Sequence, residues 1–327
     1  MIAVTGEVLI DLITDSDGCI TPRLGGGPFN TARAIGRLGL AVAFLGRLSA
    51  DRFGRQLQAS LEADGVTLAV PGLTDAPTTL AVVDLDPAGS PRFRFYLDGT
   101  SAPGLEYPAM AAALPGGLTA LYAGGLALVM EPIATSIDRV IGSDLPPGAL
   151  LMIDPNVRPE VIGDREAYLA RLSRILHRAD VVKISSEDLA YLAPNVSAPA
   201  AAAALLGQGP ALVLMTDGPR PARALLRDGE LTAEVPEVQV VDTVGAGDAF
   251  GGAFLAWWCG NGLTRADLHR HGPVREALQA AAEAASLACT RAGAEPPWLA
   301  EMQDRPGWRS ASGTPGSPGS PAAQPSG

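Results

Sequence analysis

Asp242-Thr243-Val244-Gly245-Ala246-Gly247-Asp248-Ala249-Phe250, DTVGAGDAF, sets three small residues between two acids. It follows a strand-like apolar run, Val238–Val241, and leads into an apolar stretch, Ala249–Trp258, that reads as a helix. A glycine turn opening a helix presents unpaired backbone N–H groups at the positive end of the helix dipole, where an anion is favoured. Gly245, Ala246 and Gly247 would form a nest of successive N–H groups for a transferring phosphoryl group. Asp248, one residue on, is placed to accept a hydroxyl proton as a general base. The same residues also suit a plain capped strand–helix turn. The spacing Gly245-x-Gly247-x-x-x-Gly251 touches the dinucleotide-binding pattern. That reading needs a following strand ending in an acid, and Cys259-Gly260-Asn261-Gly262 stands there instead.

Outward from this turn, short and nearly continuous apolar runs recur at Ile2–Thr5, Val42–Gly46, Leu121–Ala123, Leu150–Asp154, Val181–Ile184 and Leu212–Thr216. Such runs suit strands buried on both faces of a parallel sheet. Helical stripes lie between them: Phe29, Ala32, Ile35 and Leu38 up to Gly39, then Phe53, Leu57 and Leu61 up to Gly65. The alternation predicts an α/β fold, a doubly wound and mostly parallel sheet flanked by helices. Leu80–Asp86 and Arg92–Leu97, joined by a turn-rich connection, predict a hairpin whose second strand is half-exposed. With Ile10–Ile13 and Cys19–Leu24 they form a candidate β-sheet lid, drawn from segments 10–24 and 78–102; an ordinary edge extension of the main sheet is the alternative. One domain over 1–303 is expected, followed by a Pro/Gly/Ser-rich tail at 304–327 too poor in apolar residues to order itself.

Composition excludes several classes. The chain has 327 residues, 47% of them apolar, and a net charge of -11, which argues against nucleic acid as a partner. No apolar run reaches the roughly 18 residues of a membrane span. Met1-Ile2-Ala3-Val4-Thr5 carries no basic start, and Cys19, Cys259 and Cys289 are scattered, so a cytoplasmic protein is expected. Lys183 is the only lysine, and no glycine-rich loop precedes it, which excludes a Walker-type P-loop. His177, His269 and His271 read as solvated helix positions away from every motif.

A second glycine cluster lies near the start, Leu24-Gly25-Gly26-Gly27-Pro28-Phe29-Asn30. Its glycines allow close backbone approach, and Asn30 offers both a donor and an acceptor, the pairing a sugar hydroxyl requires. A loop feeding a helix, with Asn30 as its cap, explains it equally. Asp11, beyond the end of the first strand, could accept hydroxyl hydrogen bonds or simply form a turn.

Together the two stretches, GGGPFNTARAIGRLG and DTVGAGDAFGGAF, resemble the ribokinase-like, PfkB-type carbohydrate kinases, over residues 1 to about 303. The resemblance implies ATP-dependent phosphorylation of a sugar hydroxyl with Mg²⁺, on a doubly wound core covered by a β lid. It gives Asp248 the role of base, Gly245, Ala246 and Gly247 that of anion hole, and Asp11, Gly26, Gly27 and Asn30 that of sugar-binding residues. Ser185-Ser186-Glu187-Asp188 stands where many members carry Asn-x-x-Glu; the resemblance gives Asp188 a contact to Mg²⁺ through water and Ser185 a place at the nucleotide, while a helix cap explains the stretch as well. Thr216-Asp217-Gly218 resembles the nucleotide-side Thr-x-Gly, although Pro219-Arg220-Pro221 departs from the glycine that usually follows. Ala280–Arg291 with Ala292-Gly293-Ala294 resembles an adenine-flanking helix, beside which Asp242 and Val244 would border a K⁺ site.

Asp154-Pro155-Asn156-Val157-Arg158-Pro159 is similar to the DPNxRP segment of the fructokinase and ketodeoxygluconate kinase branches. Arg158 there would neutralise phosphoryl charge or cap neighbouring carbonyls. A fructokinase is the expectation. Ribokinase, ketodeoxygluconate kinase and, through Phe93, Phe95 or Tyr96 stacking on a base, nucleoside kinase stay open, as do a non-catalytic sugar sensor and a homodimer paired through the lid.

Overall fold

The computed structural model describes residues 1–14, 18–85 and 91–308. Its strands, in chain order, are β1 (Ile2–Thr5), β2 (Leu9–Thr14), β3 (Ile20–Gly25), β4 (Val42–Leu45), β5 (Val66–Leu68), β6 (Leu80–Leu85) and β7 (Pro91–Tyr96), followed by β8 (Ala120–Gly124), β9 (Leu150–Asp154), β10 (Val181–Ser185), β11 (Leu212–Asp217), β12 (Arg220–Leu226) and β13 (Gly229–Ala233). Nine of them form one sheet in the order β13-β12-β11-β10-β9-β8-β1-β4-β5. It is parallel from β5 through β11, and β12 and β13 add an antiparallel edge. The other four make a separate sheet, β3-β2-β6-β7, so the candidate lid is a sheet of its own rather than an edge extension.

The helices are α1 (Gly27–Arg37), α2 (Arg52–Ala63), α3 (Tyr107–Ala112), α4 (Ile133–Ser143), α5 (Arg165–Arg178), α6 (Ser186–Leu192), α7 (Ala198–Leu206), α8 (Ala246–Gly260), α9 (His271–Ala288) and α10 (Leu299–Met302). Side chains alternate across the buried strands, so each feeds two cores. Tyr122, Met152, Val181 and Leu214 pack with α1, α2, α8 and α9 on one face. Leu121, Ile153, Val182 and Met215 pack with α3 to α7 on the other. Each fully buried Leu, Val or Phe contributes about 1.5–3 kcal/mol relative to exposure, and this two-sided burial explains the unbroken apolar runs. The expected stop at Gly39 follows α1 closely: its φ is 83°, and its N–H donates to the Gly36 carbonyl.

Val238–Val241 is not a strand. Val240 and Val241 are 59% and 60% exposed, and the Val241 N–H donates to the Cys289 carbonyl in a loop contact. The run is apolar enough for a strand, but it pairs with no strand among the described residues and is tied instead to the end of α9, where the Asp242 N–H also reaches the Cys289 carbonyl. The helix expected at Ala280–Arg291 is the second half of α9, which ends at Ala288, and His269 lies in a turn rather than in a helix. Past position 303 the chain stays packed: the Gly307 N–H reaches the buried Glu283 carboxylate at 3.3 Å, and Trp308 lies against the core. The remainder of the expected tail, from 309, is outside the described residues, as is Asp86 of the first lid strand.

Candidate active site

Two glycine turns bring the site together. Gly245 caps α8 in the left-handed region, φ 78°, and an added Cβ would stand 2.5 Å from that of Ala294. A side chain is therefore excluded by both conformation and space. Asp248 occupies the third position of α8, 7% exposed, and its Oδ2 accepts 2.9 Å from the Asn30 Nδ2 amide of α1. Asn30 is not the cap of its helix. Gly26, φ 109°, holds that position, and Asn30 lies one turn in, its N–H donating to the Gly26 carbonyl.

The three glycines before α1 serve different needs. A Cβ on Gly25 would collide with the Asp11 carboxylate, and one on Gly26 would stand 2.7 Å from the Glu7 carbonyl. One on Gly27 would lie 2.9 Å from Asn156 Nδ2 and 3.2 Å from Asp248 Oδ1. Gly27 thus keeps open a space bordered by Asp248 and Asn156. Asn30 is 5% exposed, and its Oδ1 has no partner, an orphan acceptor that a ligand hydroxyl would satisfy.

Burial raises the Asp248 carboxyl to about 6, opposed by the Asn30 hydrogen bond and by the charges of Lys183 and Arg158. Burial likewise raises Asp11 to about 6, with Arg158 opposing. Glu7, beneath the turn, is raised to about 7 by burial while its carboxylate accepts the Ala127 N–H at 3.1 Å. Arg158 binds its own loop, donating to the Val157 carbonyl at 3.0 Å, and lies 5.9 Å from the Phe93 ring centroid of β7. It therefore caps carbonyls and also sets its charge where Asp11 and Asp248 both feel it. Phe93 and Phe95 stack on each other at 5.9 Å.

Of the nucleotide-side expectations, Ser185 and Thr216 are paired neighbours on β10 and β11. Ser185 and Asp188 form the capping box of α6. The Asp188 carboxylate accepts from the Val157 N–H at 2.7 Å, the Ser185 N–H at 3.1 Å and the Ser185 hydroxyl at 2.7 Å. Three of its roughly four acceptor sites are used, which suits contact with a metal-bound water rather than direct ligation. Among the described residues no cluster of three His, Cys, Asp or Glu could cage a metal. Gly218, φ 57°, and Pro219 turn the chain directly from β11 into β12, and Arg220 pairs back to Asp217 at 2.7 Å. The hairpin loop is thus Gly218-Pro219, and the other two residues of the departure, Arg220 and Pro221, begin β12. Asp242 ties two loops, accepting the Val244 N–H at 3.0 Å and the Gly293 N–H at 2.8 Å; both its oxygens are engaged. Val244 is exposed.

Several residues carried no sequence expectation of a role. Lys183 Nζ donates to Asp154 Oδ2 at 2.9 Å, and the Tyr122 hydroxyl donates to the same oxygen at 3.1 Å. Lys183 Nζ also stands 2.8 Å from where a Gly247 Cβ would be. The sequence signal was a lone lysine within an apolar strand, beside an acid ending the neighbouring strand.

Within the turn before α8 the Ala246 N–H donates to the Thr243 carbonyl at 3.2 Å. A glycine turn at a helix N-terminus, a raised carboxylate beside it and an open, polar-lined space fit a phosphoryl-transfer site. The pfkB family carbohydrate kinase model matches residues 1–301. The chain belongs to the pfkB family. This pfkB member is 35% identical to a fructokinase of Vibrio alginolyticus over 296 residues, covering 89% of this chain and 93% of the relative. The fructokinase of Xylella fastidiosa, solved with bound ATP, superposes with a TM-score of 0.82 at 31% identity, covering 92% of this chain and 96% of that one. A Vibrio cholerae O395 fructokinase, solved with fructose, ADP and calcium ion, gives 0.79 at 28% identity, over 90% and 94%. The pfkB chain is a carbohydrate phosphotransferase of ribokinase-like fold.

Proposed function

We propose that the chain is an ATP-dependent fructokinase in which Asp248 accepts the proton of the attacking sugar hydroxyl. The observation that carries this reading is the Asp248–Asn30 contact beside the space kept by Gly27, with the orphan Asn30 Oδ1 at its wall. A hydroxyl bound there donates to Asp248, while Asn30 holds the carboxylate in place. The relatives' bound fructose, ATP and ADP support the acceptor and the donor.

Asp11, Gly26 and Gly27 would line the sugar subsite, with Arg158 joining the lid to the core through Phe93. The N–H groups of Gly245 and Gly247 would face the charge that develops on the transferring phosphoryl group, with that of Ala246 shared with the Thr243 carbonyl. Thr216, Gly218 and Ser185 would border the nucleotide. Mg²⁺, entering with ATP, would neutralise triphosphate charge, and Asp188 fits contact with it through water. The tie made by Asp242 fits a loop anchor; a K⁺ beside it is part of the reading, supported by a potassium-bound relative. A cytoplasmic setting and a lid-paired homodimer complete the proposal.

The test is phosphorylation of a panel of fructose, ribose, tagatose, ketodeoxygluconate and nucleosides with ATP and Mg²⁺, read by product mass. Turnover with fructose above all others is expected. Turnover confined to a nucleoside, or none with any acceptor, would sink it.

A further inference from the structure

Lys183 is the only lysine of the chain, it is buried, and the catalytic reading above gives it no part at the nucleotide. It projects from β10 onto the sheet face that α8 covers, between the Asp154 carboxylate and the turn ending in Gly247. Burial works against its ammonium charge, and the Asp154 carboxylate outweighs that and raises its pKa. Asp154 is itself fully buried, with Oδ2 shared by Lys183 and Tyr122 and Oδ1 without a partner. A buried ion pair of this kind gives little net stability against an apolar pair of the same volume. Its location is what distinguishes it. A substituent on Gly247 would meet Nζ at 2.8 Å, so the ammonium is next to the last residue of the anion nest.

The chain carries a net charge of -11, and this ammonium lies among the carboxylates of Asp154, Asp188 and Asp248. Without a fixed cation, that cluster would repel an incoming terminal phosphate.

We propose that Lys183, clamped by Asp154, is a positioning residue: it backs the Gly245–Gly247 turn with a fixed positive charge that selects for the terminal phosphate of ATP. The inference rests on the kinase reading. The Asp154 clamp, with Tyr122 behind it, holds the ammonium in one place, so no reorganisation is needed when phosphate charge arrives.

The test is calorimetric binding of ADP and of a non-hydrolysable ATP analogue carrying an imido bridge, both with Mg²⁺, to the full chain. Lys183→Met should weaken the analogue about 10–100-fold, the loss of one charge-assisted contact, and leave ADP nearly unchanged. Lys183→Arg should restore much of the difference. Because Lys183→Met strands a buried carboxylate, Lys183→Met/Asp154→Asn is measured beside it; it should keep its melting temperature and show the same selective loss. Equal weakening of both nucleotides, no weakening of either, or tight analogue binding by the double variant would each overturn the inference while leaving the kinase reading standing. A wild-type chain that binds neither nucleotide would overturn both.

Discussion

The starts of α2 and α8 each carry an aspartate at a helix N-terminus, and the two carboxyls titrate far apart. Asp51 caps α2, accepting from the Gly54 N–H at 2.8 Å and from the Thr78 N–H and hydroxyl at 2.7 Å each. Burial is the largest single influence and pushes it up, but these donors together with the Ser49 hydroxyl outweigh it and bring it down to about 2. Asp248 has the same helix end but only the Asn30 amide as a side-chain donor, and burial leaves it at about 6. A helix terminus by itself does not make an acidic carboxylate. Filled lone pairs do, and an aspartate whose lone pairs are left open in a buried place keeps a higher proton affinity.

That contrast can be broken first at α8. Asp248→Asn should lower turnover on the order of 10²–10⁴-fold with a nearly unchanged melting temperature, because only the proton acceptor is lost. Near-normal turnover would make Asp248 a second structural aspartate like Asp51. The pH profile sharpens the comparison. A base works only when deprotonated, so kcat/KM should fall as pH drops through about 6, roughly tenfold per unit below it. Asp11, raised to about 6 from 3.8, titrates in the same range, so the limb sums the two groups. A profile flat down to pH 5 would contradict the assignment.

At α2 the expected effects are smaller and fall on stability alone. Asp51→Ala should cost about 1–2 kcal/mol in denaturant unfolding and leave KM and kcat intact. The sign of its pH dependence is the reverse of a raised group: the folded value of about 2 is below the ordinary 3.8, so the stabilisation is present above pH 3.8 and is lost as pH falls toward 2. Wild type and Asp51→Ala should therefore converge in stability near pH 2. A constant gap would mean that the carboxylate charge plays no part in the cap.

Much of the fold was legible. β1 and β9 have the bounds read from the sequence, and β4, β8, β10 and β11 differ by a residue or so at their ends. The lid hairpin showed in the alternation of Phe93 and Phe95 with Arg94 and Tyr96, which the structure places half-buried and exposed in turn. The failure at Val238–Val241 shows that composition reports β preference alone, whereas a strand also needs a partner, and this segment hydrogen-bonds to the Cys289 carbonyl instead. At the candidate site the two glycine turns were legible, because close backbone approach leaves glycine as a mark, and the structure sets Asp248 of one beside Asn30 of the other. Lys183, Asp154 and Tyr122 were not, since each looks ordinary within its own strand.

The sequence alone determined where the central parallel strands, the first helical stripes and the two glycine turns lie, because those depend on periodicity and on backbone freedom over a few residues. Tertiary structure decided the partners. The register of β8, β9 and β10 aligns Tyr122, Asp154 and Lys183 on one face, and the packing of α1 on α8 sets Asn30 against an aspartate 218 positions away. It decided the proton affinities too, because the free energy of a buried charge depends on how much water is excluded and which dipoles replace it, and neither is a property of neighbours in sequence.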